Sequence, residues 1–232
     1  MFWIKFKGKD SREMGVTILR RPNIISPHSV VTFVPIDGRD TPLVHELGTT
    51  SYEITLEIAV EHIDLIDEVQ GWIQGEGEFV RSDLPNRYQN VRVINGISFT
   101  RLVENLYTAS VTLVTYEPYF YPLEEQTALV GTSTELTNEG NYKSFPEITI
   151  IRASGTSSTL IEYNNNQIRY HFPLGEREVT IDTATRTAIS GGEDRSIFLE
   201  IERDYGLHLP VGTSIVTRDR GTVEFRKYSR WI

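Results

Sequence analysis

The sequence predicts a mostly β protein of two domains: an α+β, barrel-like or sandwich-like first domain with one helix, then a second β-sandwich. Three observations predict it. Apolar and polar residues alternate with strand period in many short segments, only one segment carries a helical period, and a proline- and aromatic-rich break separates two runs of strands. The 232 residues are 39% hydrophobic and 24% charged, which suits a globular chain with enough apolar material to bury one large core or two ordinary ones.

The opening Phe2, Ile4 and Phe6 alternate as a strand does, and SYEITLEIAVE (51–61) is the strongest case: Tyr52, Ile54, Leu56, Ile58 and Val60 alternate with polar residues and Ala59. In IDLIDEVQGWI (63–73), Ile63, Ile66, Val69, Trp72 and Ile73 recur at three- and four-residue steps, so they share one helical face, and Gly75 supplies a stop. That placement makes Trp72 a core residue. RVINGISF (92–99) sets Asn95-Gly96 between β-rich runs, the pattern of a type I′ hairpin turn, and YTASVTLVTY (107–116) adds a further strand.

YEPYFYPLEEQ (116–126) holds two prolines among four tyrosine or phenylalanine residues, and a domain boundary is expected there, dividing 1–126 from 127–232. Beyond it PEITIIR, TLIEY, QIRYHF, EVTIDT, SIFLEIE and TVEFRKY follow at short spacing, as in a β-sandwich. Asn164-Asn165-Asn166 is a tight turn between two of them.

Composition excludes several functions. The net charge is −9. Residues 1–128 carry 11 basic and 18 acidic side chains and residues 129–232 carry 12 and 14, so neither half offers the clustered cations a phosphate backbone needs. With no cysteine there is no disulfide, thiolate nucleophile or cysteine zinc site. No apolar run is long enough to cross a bilayer, and MFWIKFKGKD lacks the apolar core of a signal peptide, so folding in a reducing cytosol is expected.

Catalytic signatures are missing too. His28, His45, His62, His171 and His208 stand in no metal-ligand spacing, and His45-Glu46 is followed by Leu47-Gly48-Thr49, which breaks the zincin motif. No nucleophile elbow or phosphate loop follows a strand. Acid pairs such as Glu57/Glu61, Asp64/Asp67 and Glu124/Glu125 are what a glycosidase would need, but any chain with 32 acids offers them. Tyr163, Tyr170 and Trp231, with many amide side chains, leave a carbohydrate-binding module as the alternative to a structural protein. No catalytic, cofactor-binding or metal site is expected.

Several segments, in order, resemble the distal tail protein family of long-tailed phages with flexible tails. They are Phe6-Lys7-Gly8 after the first strand, VPIDGRDTPL (34–43), SYEITLEIAVE, the IDLIDEVQGWIQGEGEF segment and VTYEPYFYP. NEGNYKSFPEITI (138–150), REVTIDTATRTA (177–188) and VEFRKYSRWI extend the likeness over nearly the whole chain. The sequence departs from the family at Pro210-Val211-Gly212-Thr213-Ser214, where a glycine-asparagine segment is usual. The resemblance implies a ring-forming first domain followed by a galectin-like or carbohydrate-module-like sandwich. It also implies a ring, of six copies in this family, between the tail tube protein and the baseplate or tail-tip proteins, with a receptor-binding protein as a further possible neighbour and DNA passing through the channel. The place would be the virion tail tip, after assembly in the host cytoplasm. A subunit contact is expected at Asp37, Gly38, Arg39 and Asp40; the bland alternative is an ordinary turn in which Gly38 supplies a positive φ.

Overall fold

Alternating burial is what makes the strands of this chain strands, and the computed structural model, which describes residues 1–202 and 207–232, shows it in two compact units. One comprises Met1–Leu123 together with Ile232, the other Glu124–Trp231. The division falls inside the proline- and aromatic-rich segment. Glu125 pairs with Arg226, and the Gln126 carbonyl accepts from the Lys227 amide, so both residues belong with the second unit.

The first unit contains β1 (Ile4–Phe6), β2 (Lys9–Asp10), β3 (Val16–Arg20), β4 (Ser29–Val34), β5 (Leu43–Thr49) and β6 (Tyr52–Val60). After helix α1 (Ile66–Trp72) come β7 (Glu76–Arg81), β8 (Leu84–Val93), β9 (Thr100–Val103), β10 (Leu106–Thr115) and β11 (Tyr121–Pro122). Nine of these strands form one antiparallel sheet ordered β2-β1-β7-β8-β10-β6-β3, with β11 on β8 and β9 on β10. One of the sheets of the molecule is a curled half-barrel, and the nine-stranded sheet runs from β2 at one edge to β3 at the other. β6 and β10 form its spine, paired from Tyr107↔Val60 to Thr115↔Tyr52. Ile54, Leu56, Ile58 and Val60 of β6 face the core as expected, with Val111 and Leu113 of β10.

The helix is shorter than the pattern 63–73 predicts. Ile63–Leu65 is a 3-10 turn ahead of the α-helix, and Ile63 within it is 62% exposed rather than on the apolar face. Val69, Trp72 and Ile73 are buried as predicted, and Gly75 takes a φ of 68° just past the end. Trp72 is anchored as well as buried: its indole donates to the Phe6 carbonyl at 2.8 Å.

The expected type I′ turn at Asn95-Gly96 does not form, since neither residue has positive φ. Instead residues 94–99 leave the sheet as a loop, and the Asn95 side chain replaces a ladder rung. Its Oδ1 accepts from the Thr112 amide at 2.7 Å and its Nδ2 donates to the Ser110 carbonyl at 3.1 Å. An asparagine can serve two neighbouring backbone groups in this way, and that competes with the turn its sequence suggests.

The second unit contains β12 (Thr127–Val130), β13 (Ser133–Asn138), β14 (Glu147–Ile151), β15 (Ser158–Tyr163), β16 (Asn166–His171) and β17 (Glu178–Asp182). β18 (Thr187–Ser190), β19 (Glu193–Asp194), β20 (Leu199–Glu202), β21 (Gly212–Arg218) and β22 (Thr222–Arg226) complete it. They form a six-stranded sheet, β12-β22-β14-β17-β18-β19, and a five-stranded one, β13-β21-β15-β16-β20. One apolar cluster joins residues of both, and Tyr163 meets Phe225 edge-on at 5.5 Å between ring centres. That is the expected sandwich. Asn164 and Asn165, with φ of 45° and 61°, make the tight turn from β15 to β16, while Asn166 already belongs to β16.

Candidate self-assembly surface

Among the described residues, β4 and β5 pair only with each other, in a separate two-stranded sheet registered from Ser29↔Thr49 to Val34↔Leu43. Every residue of β4 is exposed, and all of β5 but the half-buried Thr49. This is unusual, because a hairpin with no third strand or covering element is marginally stable in water. Its composition is that of a buried element. Val31, Phe33 and Val44 share one face; Thr32, Val34 and Leu43 lie on the other. Phe33 is 60% and Val44 54% exposed. Both outer edges also offer unpaired backbone groups, so the arm can be covered on its faces and extended at its edges.

The segment Asp37-Gly38-Arg39-Asp40 forms the tip of this arm. The Arg39 amide donates to the Ile36 carbonyl at 3.0 Å, and Gly38 has a φ of 80°, as the third residue of a type II turn requires. Arg39 makes no ion pair among the described residues. The turn geometry of the bland alternative is therefore present, and its glycine does what that alternative needs. The sequence-based expectation here is a contact or an ordinary turn, with no strands beside it. The signal was there: Val30–Val34 and Leu43–Leu47 flank an Asp-Gly pair.

The root of the arm is fixed in the first unit. Arg81 of β7, with its side chain only 4% exposed, sends Nη1 to the Asn23 carbonyl and Nη2 to the Pro22 carbonyl, each at 3.1 Å. The same guanidinium grips Asp83 through Nε at 2.9 Å and Nη2 at 2.8 Å. This hydrogen bonding holds the Asp83 carboxyl below its ordinary pKa. On the other strand, the Thr49 hydroxyl and the Tyr119 hydroxyl are 2.7 Å apart, and the Thr50 amide donates to the His28 carbonyl at 2.9 Å.

Of the aromatic candidates for sugar binding, Trp231 is half-buried. Tyr163 and Tyr170 are buried in the second core, where burial raises both hydroxyls above their usual pKa, so neither offers a stacking face for a sugar. A cleft of about 550 Å³ at the β15–β16 turn is lined by Glu162, Tyr163, Asn164, Asn165, Asn166, Gln167, Thr213 and Thr217, among others. Gln167 and Thr217 both donate to the Glu162 carboxylate, so much of its polarity is spent internally. His171 lies 3.1 Å from Glu200, and His208 meets Phe145 edge-on. Among the described residues no three His, Asp or Glu side chains gather as a metal site.

No protein-family model matches the chain, and no curated protein matches it. Solved structures do. The crystal structure of the SPP1 Dit (gp 19.1) protein, described as a paradigm of the hub adsorption apparatus in phages infecting Gram-positive bacteria, superposes with a TM-score of 0.74 at 13% identity, covering 100% of both chains. Two structures of the phage P2 baseplate in its activated conformation, with Ca and with Sr, each give a TM-score of 0.54 at 9% identity. They cover 98% and 97% of this chain and 98% of theirs. The chain thus has a Dit-like fold from end to end.

Proposed function

We propose that this chain is a structural, non-catalytic phage tail protein that closes with copies of itself into a ring, the hub between the tail tube and the baseplate or tail tip. The observation that carries the reading is the exposed β4–β5 arm. An apolar hairpin that the described residues of its own chain leave exposed gains most of its stability from a partner, and a ring of identical subunits supplies one to every arm. The contact is head-to-tail, with the arm of one copy seated on a different face of the next. A stable contact of this kind buries on the order of 800 Å² per partner. A six-residue strand reaches about 20 Å, long enough to span such a face. The full-length likeness to a phage hub protein supports the same assignment. Six copies, the number the family resemblance implies, is the expected stoichiometry. The acidic balance of the first half suits a channel that DNA passes without adhering.

The test is electron microscopy of the purified protein and two variants. Rings should form in the parent and be lost in Phe33→Asp, which places a charge in the covered face, while circular dichroism stays unchanged. Arg39→Glu distinguishes a contact at the tip from a plain turn: loss of rings with the fold intact supports the contact at Asp37–Asp40, and unchanged rings leave the tip an ordinary turn. Persistence of rings in Phe33→Asp would refute the arm as the subunit contact.

A further inference from the structure

The arm is an exposed hairpin, yet its connections to the body are not those of a tether. We infer that Arg81 and Tyr119 are positioning residues that hold the arm at a fixed angle to the first unit, so that it meets the next copy already aimed. The inference rests on the arm being the subunit contact.

Two features carry it. The first is the geometry of Arg81. Its two terminal nitrogens bond the carbonyls of Pro22 and Asn23, which are consecutive along the chain, while Nε and Nη2 hold Asp83. One bond to a backbone fixes a point; two from a planar fork to successive carbonyls fix two peptide planes, and hence the direction in which the chain leaves. Pro22 has its own φ fixed by its ring, and the Phe2 ring lies within 5.7 Å of the Arg21 guanidinium and 6.0 Å of the Arg81 guanidinium, so the exit is stiff on both sides. A buried arginine–carboxylate pair is weak evidence for stability in itself, since apolar residues of the same volume often do as well. What apolar residues cannot do is orient carbonyls.

The second feature is that the returning strand is pinned independently. Tyr119, from the segment after β10, meets the hydroxyl of Thr49, the last residue of β5. The two roots are then closed on each other by the Thr50 amide with the His28 carbonyl, and by the His28 amide with the Thr50 hydroxyl at 3.2 Å. A hairpin held at one strand can swing; held at both, from different parts of the sheet, it cannot. Pre-orienting a contact element removes part of the ordering cost of association.

The chain has no cysteine, so a spin label placed at Thr41→Cys near the tip and another at Glu68→Cys on α1 report the arm's angle without background. Full-length labelled protein, diluted with unlabelled protein to suppress distances between copies, should give one narrow distance distribution. Tyr119→Phe removes a single hydroxyl, and Arg81→Lys keeps the charge but cannot bridge Asp83 and two carbonyls. Each should broaden the distribution and weaken self-association on the order of tenfold, the equivalent of about one hydrogen bond's worth of orientation. Melting of the first unit should hardly change in Tyr119→Phe. A distribution already broad in the parent, or equally narrow in both variants, overturns the inference. So does a lowered melting temperature with a narrow distribution, which marks the residues as merely structural. Should the parent fail to self-associate at all, the hub reading falls while the distance widths still judge the clamp.

Discussion

At the scale of single residues, the most informative side chains are large ones doing two jobs. Trp72 fills the first core at 5% exposure and also satisfies the Phe6 carbonyl. Trp72→Ala should therefore cost about 3 to 5 kcal/mol in urea unfolding of the full chain, and Trp72→Phe should still show about 1 to 3 kcal/mol for the carbonyl left without its donor. An unchanged unfolding midpoint in both would contradict this placement. Arg81 and Asp83 make a pH prediction whose sign is fixed. Asp83 has its folded pKa lowered, first by the Arg81 hydrogen bonds. A depressed carboxylate contributes stability above its unfolded pKa of about 3.9 and loses it as pH falls through the lower folded value. The unfolding midpoint of the first unit should accordingly hold from neutral pH down to about 4 and drop below it, and Asp83→Asn, which never carries the charge, should flatten that drop. Equal slopes for parent and variant would remove Asp83 from the account.

At the scale of elements, legibility in the sequence followed period. β6 was readable because its inward residues Ile54, Leu56 and Ile58 face one core and its outward neighbours are polar. The β15–β16 turn was readable because consecutive asparagines tolerate the left-handed region. The start of α1 was misread at Ile63, since a 3-10 turn shares the i, i+3 spacing of an α-helix but not its rotation. The Asn95 turn was misread because a side chain took over a backbone role. The arm was the hardest element, and for a physical reason: strands are recognised by one apolar and one polar face, whereas β4 and β5 carry apolar residues on both. That pattern suits the proposed arm, whose faces a neighbouring copy would cover. It also means that Phe33→Asp should lower the melting temperature of the isolated subunit only slightly, because Phe33 is 60% exposed and its cross-strand neighbour is Val44 of the arm rather than the core cluster.

At the scale of the whole molecule, two cores of similar size divide the work. Each unit has its own apolar cluster and its own closed pattern of strand pairing, so residues 1–123 and 124–232 should each fold when expressed separately. The arm belongs to the first, and self-association should go with it: the first fragment multimerises on concentration, and the second stays monomeric. The central claim is closed self-assembly, and the mass of the intact full-length protein in solution tests it most directly. The account predicts a single discrete species, six times the mass of one chain, in equilibrium with monomer and with no open-ended series above it. A protein that remains monomeric at every concentration and in the presence of tail tubes, or one that grows into unlimited polymers, would contradict it.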